Sequence, residues 1–100
     1  MTQFRHGDVM IESVDQLPKT SRKSSHVILA HGEVTGHSHR IEDREAAVLY
    51  ECPEGLFLEV TAAKAKVVHE EHQTIELEKG LYRVWRQREY SPEEIRTIRD

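Results

Sequence analysis

Short bursts of alternating apolar and polar residues, broken by turn-forming residues, run along most of this chain. Val9 to Val14, read as Val-Met-Ile-Glu-Ser-Val, predicts a first strand that Pro18 and the polar loop after it bring to an end. A second β-type run extends from His26 to Val34 and stops at the Thr35-Gly36 turn, directly before His37 and His39. Two apolar runs, Ala46 to Cys52 and Leu56 to Thr61, flank Pro53-Glu54-Gly55 and predict a hairpin with a three-residue loop. Ala62 to Lys66, continuing into Val67 and Val68, reads as a further strand rather than as a helical turn. Thr74 to Glu78 and Leu81 to Tyr90 alternate on either side of Lys79-Gly80, which predicts a second hairpin turning at that dipeptide. Ser91-Pro92-Glu93-Glu94 places a capping serine, a first-turn proline and a third-position glutamate in register. That predicts a short helix over about 92–99 with Ile95 and Ile98 as its apolar stripe.

These elements predict a mainly β fold: a small antiparallel β-sandwich or barrel of roughly six to eight strands with a short C-terminal helix. Closing or doubling the sheet buries its apolar face and protects its edges. At 100 residues there is room for one modest core, so residues 1–100 form a single domain. Apolar residues at 37% against 32% charged, clustered in bursts, place the chain among ordered folds. A net charge of −4 provides no general field for a phosphate backbone, which speaks against nucleic acid as the first partner. The basic run Lys19, Arg22, Lys23 lies among Thr20, Ser21, Ser24 and Ser25 and reads as a solvated loop. Cys52 is the single cysteine, so no internal disulfide forms. The first residues lack the apolar core of a signal peptide and no apolar stretch is long enough to span a bilayer; the expectation is a cytoplasmic protein.

The chemistry concentrates in histidine. Seven occur, and four form two tight pairs, His37/His39 and His69/His72. Residues two apart on a strand share a face, so His37 and His39 can present two imidazoles to one point, and Gly36 lets the chain turn sharply into them. His69 and His72, three apart, converge only in a turn or helical segment; on a strand they would face opposite ways. Glu70 and Glu71 between them are candidate ligands, orienting groups or general bases, and so the candidate catalytic residues. Several neutral imidazoles with or without a carboxylate suit a divalent transition metal, Zn, Fe, Mn or Ni, and an incomplete protein shell leaves a position for water or substrate. The competing account is that these histidines are ordinary polar residues on exposed strand ends. His6 before Gly7-Asp8 and His31 before Gly32-Glu33 sit at strand boundaries and are further candidates, whereas His26 and Cys52 read as structural.

Gly32-Glu33-Val34-Thr35-Gly36-His37-Ser38-His39-Arg40, His69-Glu70-Glu71-His72, Gly80-Leu81-Tyr82-Arg83-Val84 and Gln87-Arg88-Glu89-Tyr90 resemble a family of short bacterial proteins of unassigned function. The resemblance spans most of the chain and implies a compact, stand-alone protein. A second, looser resemblance is to cupins, small barrels in which a glycine-led His-x-His, a nearby acid and a later histidine hold a metal. It implies Asp43, among Glu42, Asp43 and Glu45, as the acid and His69 or His72 as the late ligand, with Gly32 one residue closer to His37 than that pattern has it.

Three functions follow from these residues. The first is a metal-binding β-domain acting as a hydrolase, an oxygenase or a binder of a small-molecule ligand. The second is a non-catalytic accessory module that docks on a protein partner through a sheet edge or through the tail from Tyr90 to Asp100; exposed edges also allow a homodimer. The third is a nucleotide or RNA binder using Arg83, Arg86 and Arg88 with Tyr82 or Trp85.

Overall fold

The computed structural model describes residues 2–32 and 36–87, and every regular element within them is a β-strand. In chain order these are β1 (Gln3–His6), β2 (Val9–Val14), β3 (Arg22–Lys23), β4 (Ile28–His31), β5 (Ser38–Ile41), β6 (Ala47–Cys52), β7 (Gly55–His69) and β8 (His72–Arg86). They form one antiparallel sheet in the order β1-β2-β8-β7-β5-β4, with β6 paired to β7 and β3 to β6, curled into a half-barrel. The expected helix over about 92–99 lies outside the described residues, as do Val34, Thr35 and Arg88.

The two 15-residue strands β7 and β8 are the spine. β7 pairs with β6 through its first half, Leu49 facing Leu58, and with β5 near its end, Ile41 facing Val67. The change of neighbour coincides with a slip in the β7–β8 ladder. Val60 faces Gly80 and Lys64 faces Glu78, so residues 61 to 63 of β7 oppose residue 79 alone. The slip flips which side chains point inward: Leu58 and Val60 are buried before it, Ala65 and Val67 after it. On β8 the buried row changes from Leu77 to Tyr82 and Val84. An unpaired insertion of this kind bends a strand and increases its twist, which curls the sheet.

This corrects the hairpin expected to turn at Lys79-Gly80. The broken alternation there reflects a bulge within one continuous strand, and the chain reverses instead at Glu70-Glu71, between His69 and His72. Likewise Leu56–Thr61 and Ala62–Val68 belong to a single strand, and the Pro53 turn is tighter than expected, with Cys52 paired directly to Gly55. β1 was not predicted: Gln-Phe-Arg-His carries one large apolar residue, and it pairs because the Gly7-Asp8 turn folds it back on β2. Gly7 makes that turn at φ +66°, a conformation costly for a residue with a Cβ.

The core fills the concave face with Val9 and Ile11 from β2, Leu29 from β4, Ile41 from β5, Leu49 from β6 and the inward rows of β7 and β8. Gly80 adopts φ +154° at the slip, where an added Cβ would meet nothing within 4 Å. Gly80→Ala therefore acts through backbone strain alone. It is expected to destabilise the fold by about 1–3 kcal/mol, read from urea denaturation, while Lys79→Ala on the same bulge costs much less.

Candidate metal centre

At one end of the half-barrel the inward rows change from aliphatic to imidazole. His39 follows Ile41 at the two-residue spacing of β5, and His69 follows Val67 on β7. His72 faces His69 across the hairpin end. His6 reaches the same point from the end of β1, so the cluster draws on three separate hairpins. Ring centroids lie 4.4 Å apart for His39–His69, 4.6 Å for His69–His72, 5.4 Å for His39–His72 and 5.0 Å for His6–His39. One nitrogen from each of His39, His69 and His72 lies within 4.8 Å of the others, and a second group with the same span joins His37, His69 and Glu70.

Two glycines make room for these rings. A Cβ on Gly7 would lie 2.8 Å from His72 Nε2 and 3.0 Å from His39 Cε1. A Cβ on Gly32 would lie 3.1 Å from both His69 Nε2 and the Cβ of His37. The backbone of two hairpins thus passes so close to the imidazoles that an added Cβ would make the rings shift.

The hydrogen bonds determine how the protons are placed. His6 Nε2 lies 2.8 Å from the Gln73 carbonyl oxygen, which can only accept, so this nitrogen carries the proton. Burial lowers the pKa of His6 against the raising effect of that carbonyl bond, with further lowering from His72 and His69; the ring is neutral and its Nδ1 is an acceptor. His39 Nδ1, 2.8 Å away, must then donate to it. His39 is neutral for the same principal reason: burial, then the neighbouring imidazoles of His69 and His6, push its pKa down to about 4 although Asp8 opposes them. The proton of neutral His39 is therefore on Nδ1, and Nε2 is left with a lone pair. That is the state in which an imidazole ligates a metal, with its other nitrogen held by a hydrogen bond.

Around this centre stand three carboxylates. Glu70 accepts from the Ser38 N–H at 3.1 Å and pairs with Arg40 at 3.0 Å; its own backbone N–H first of all, then Ser38 and Arg40, hold its pKa below the usual value. Glu71 Oε2 is 3.5 Å from His37 Nδ1, a buried nitrogen that makes no hydrogen bond. Asp8 Oδ1 is 3.7 Å from His39 Nε2.

The sequence pairs thus meet unevenly. His39, His69 and His72 share one point, His37 joins through His69, and the turn between His69 and His72 supplies the convergence that a straight strand would deny. His6 belongs in the cluster as the anchor of His39, a role its position before a turn did not reveal. His31 is exposed on β4, and the exposed His26 accepts the Ile28 N–H through Nδ1 at 3.1 Å. Asp43 accepts the Glu45 N–H at 2.9 Å in the turn after β5. Asp8 is the site residue that sequence reasoning missed; its signal was its position in the turn directly after His6.

The described residues of the expected nucleotide surface, Arg88 lying outside them, are engaged within the chain. The Arg83 guanidinium lies 4.5 Å over the Trp85 ring, Arg86 pairs with Asp8 at 3.1 Å, and the buried Tyr82 hydroxyl donates to the Glu78 carbonyl at 2.6 Å. Among the described residues, no helix is long and apolar enough to cross a membrane.

The buried rings give the ion-free protein a defined pH response. A histidine of the unfolded chain titrates near 6.5, whereas folded His39 titrates near 4, so the unfolded chain binds more protons between these values. Their contribution to stability is complete above about pH 6.5 and is lost as the pH falls toward 4. Urea midpoints measured across this range should drop on acidification, and His39→Asn should flatten the slope relative to the parent.

Residues 5–87 match a family described as Domain of unknown function (DUF8820). Neither the curated proteins nor the solved structures contain a match to this chain. With most of its length inside that match, the chain belongs to the DUF8820 family of unknown function.

Proposed function

We propose that this chain is a metal-binding domain in which His39, His69 and His72 hold a divalent transition metal at the end of the half-barrel. The observation that carries the reading is the convergence of three imidazoles from two hairpins, one of them with its ligating lone pair already exposed by hydrogen bonding. Three neutral imidazoles are a donor set for Zn, Fe, Mn or Ni. A nitrogen span of up to 4.8 Å closes onto one ion by sub-ångström side-chain movement, because two ligands about 2.1 Å from an ion are at most about 4.2 Å apart.

His37 and Glu70 extend the donor set through the shared His69. His72 is exposed, so a small-molecule ligand reaches the centre from solvent. A bound ion would act there as a Lewis acid or, if redox-active, in oxygen chemistry. The chain's own part is to hold the imidazoles in place, with Glu70 fixed beside them by the Ser38 N–H and Arg40.

Metal binding must disturb one specific bond. The Glu71 N–H donates to His69 Nδ1 at 2.9 Å. An ion on Nδ1 displaces that donor, and an ion on Nε2 moves the ring proton onto Nδ1, so the bond is lost either way. The test is metal content of tag-free protein by mass spectrometry, with zinc or cobalt titration followed by amide NMR. The expected result is about one ion per chain, a shifted Glu71 amide on loading, and loss of binding in a His39→Ala/His72→Ala double variant. Protein that takes up no metal, or a double variant that keeps it, would refute the reading.

A further inference from the structure

The donors at this end of the half-barrel divide into two sets. His39, His69 and His72 form one, and His37, His69 and Glu70 form the other, each with its ligand atoms within 4.8 Å of one another. His69 is common to both, and among the described residues no group of that span combines His37 or Glu70 with His39 or His72. An imidazole carries two nitrogens on different edges of its ring, so a ring shared by two sets can serve two ions.

Three features of the second set point to a cation. His37 Nδ1 is buried without a hydrogen bond, 3.5 Å from Glu71 Oε2. An ion on that nitrogen takes up its lone pair; an ion on Nε2 leaves the ring proton on Nδ1, turned to the Glu71 carboxylate as metal-bound imidazoles commonly are. Glu70 is held in place, its Oε1 accepting the Ser38 N–H at 3.1 Å and its Oε2 paired with Arg40 at 3.0 Å, while Arg40 itself donates to the Ser38 carbonyl at 2.9 Å. A carboxylate oxygen accepts at two positions, so each of these keeps one for an ion. Gly32, finally, is not among the glycines of positive φ, so its backbone does not call for glycine. A Cβ there would stand 3.1 Å from both His69 Nε2 and the Cβ of His37, and the glycine keeps open the space between these two side chains.

Resting on the metal reading above, we infer that His37, Glu70 and the shared His69 form a second position for a divalent transition metal, and that the saturated domain carries two ions with the His69 ring between them. A neutral imidazole has one N–H and one lone pair. With both nitrogens on metal, the ring gives up its N–H proton to solvent, and its negative charge joins that of Glu70 in offsetting the second cation. The second set replaces one imidazole by a carboxylate, which makes it the harder of the two and the better suited to Mn or Fe. It is also the weaker, because Glu70 is exposed and shares its oxygens with Ser38 and Arg40. The three-histidine set therefore fills first and determines the metal content of purified protein, and the second ion loads as free metal is raised.

Cobalt(II) titration of the whole chain tests this, followed by visible absorption and by proton release in weak buffer at mildly alkaline pH, where free histidines are neutral. The parent should take up a second ion after the first, and the second step should release one further proton. Glu70→Gln keeps the size of an exposed side chain and removes the ligand charge; it should weaken the second step about tenfold or more and leave the first as it is. His37→Ala should act in the same way. The retained first step serves as the control that both variants are folded. A parent that saturates at one ion, a second step without proton release, or variants that still take up two ions with parental affinity would overturn the assignment and leave the three-histidine site standing. Variants that lose the first step while remaining folded by circular dichroism would also overturn it, since His37 and Glu70 would then serve the first ion. Failure of the parent to bind any Co(II) would overturn the metal reading itself and this inference with it.

Discussion

The slip in the β7–β8 ladder is the constraint on which the site depends. Strand side chains alternate, so without the slip the inward row of Leu58 and Val60 would continue through Ala62, Lys64, Lys66 and Val68. Two lysines would enter the core, Ala65 and Val67 would face water, and His69 would point away from His39. The bulge opposite Gly80 reverses the phase once, and the same reversal returns Val67 to the core and His69 to the cluster. It also bends the long hairpin, letting β7 pair with β6 along one part of its length and with β5 along another. Fold and site therefore rest on irregular pairing, and the same ladder shifts register again between Val67 and His69, at the site itself.

The imidazole end of the core is a poor device for stability. His39 and His69 occupy positions where the neighbouring inward residues two positions away, Ile41 and Val67, are aliphatic, and burial of a polar ring is offset only when its nitrogens are paired. His6 meets that condition at both nitrogens. His39 meets it at Nδ1 only, and His37 leaves Nδ1 buried without a hydrogen bond. Apolar side chains at these places would pack the same end of the barrel at less cost. A local departure from good packing, confined to one end and aimed at one point, is the signature of a site rather than of a structural cap.

Much of the fold was legible because alternation is a direct record of a half-buried strand. Val9–Val14, Ala47–Cys52 and the start of β7 all announced themselves in this way. What misled was Lys79-Gly80, since a phase reversal looks the same in sequence whether the chain turns or bulges; only the partner strand distinguishes them. The histidine pairs were visible as pairs, and His37-x-His39 carried its shared face openly. His69 and His72 were ambiguous because their convergence depends on the Glu70-Glu71 turn, which the sequence reading placed at Lys79-Gly80. His6 was named as a candidate, but its partners and the part played by Asp8 were beyond reach: β1 is too short and too polar to be read as a strand, so nothing placed its end beside residues more than thirty positions away.

The distances along the chain also bear on why the fold would use an ion at all. The edge strands of the sheet path, β1 and β4, do not pair with each other, so among the described residues no hydrogen-bonded strand pair closes the half-barrel. The histidine end is where the β1–β2 turn, the start of β5 and the β7–β8 tip come together, His6 bonding both His39 and the Gln73 carbonyl at 2.8 Å and Glu70 accepting from the Ser38 N–H. An ion held as proposed by His39, His69 and His72 would join two of these hairpins. Because the unfolded chain does not hold these donors together, binding free energy adds to folding free energy. The arrangement that leaves His37 Nδ1 buried without a hydrogen bond is the same one that would let an ion tie two hairpins together, so the cost of burying imidazoles and the geometry that could hold a metal go together.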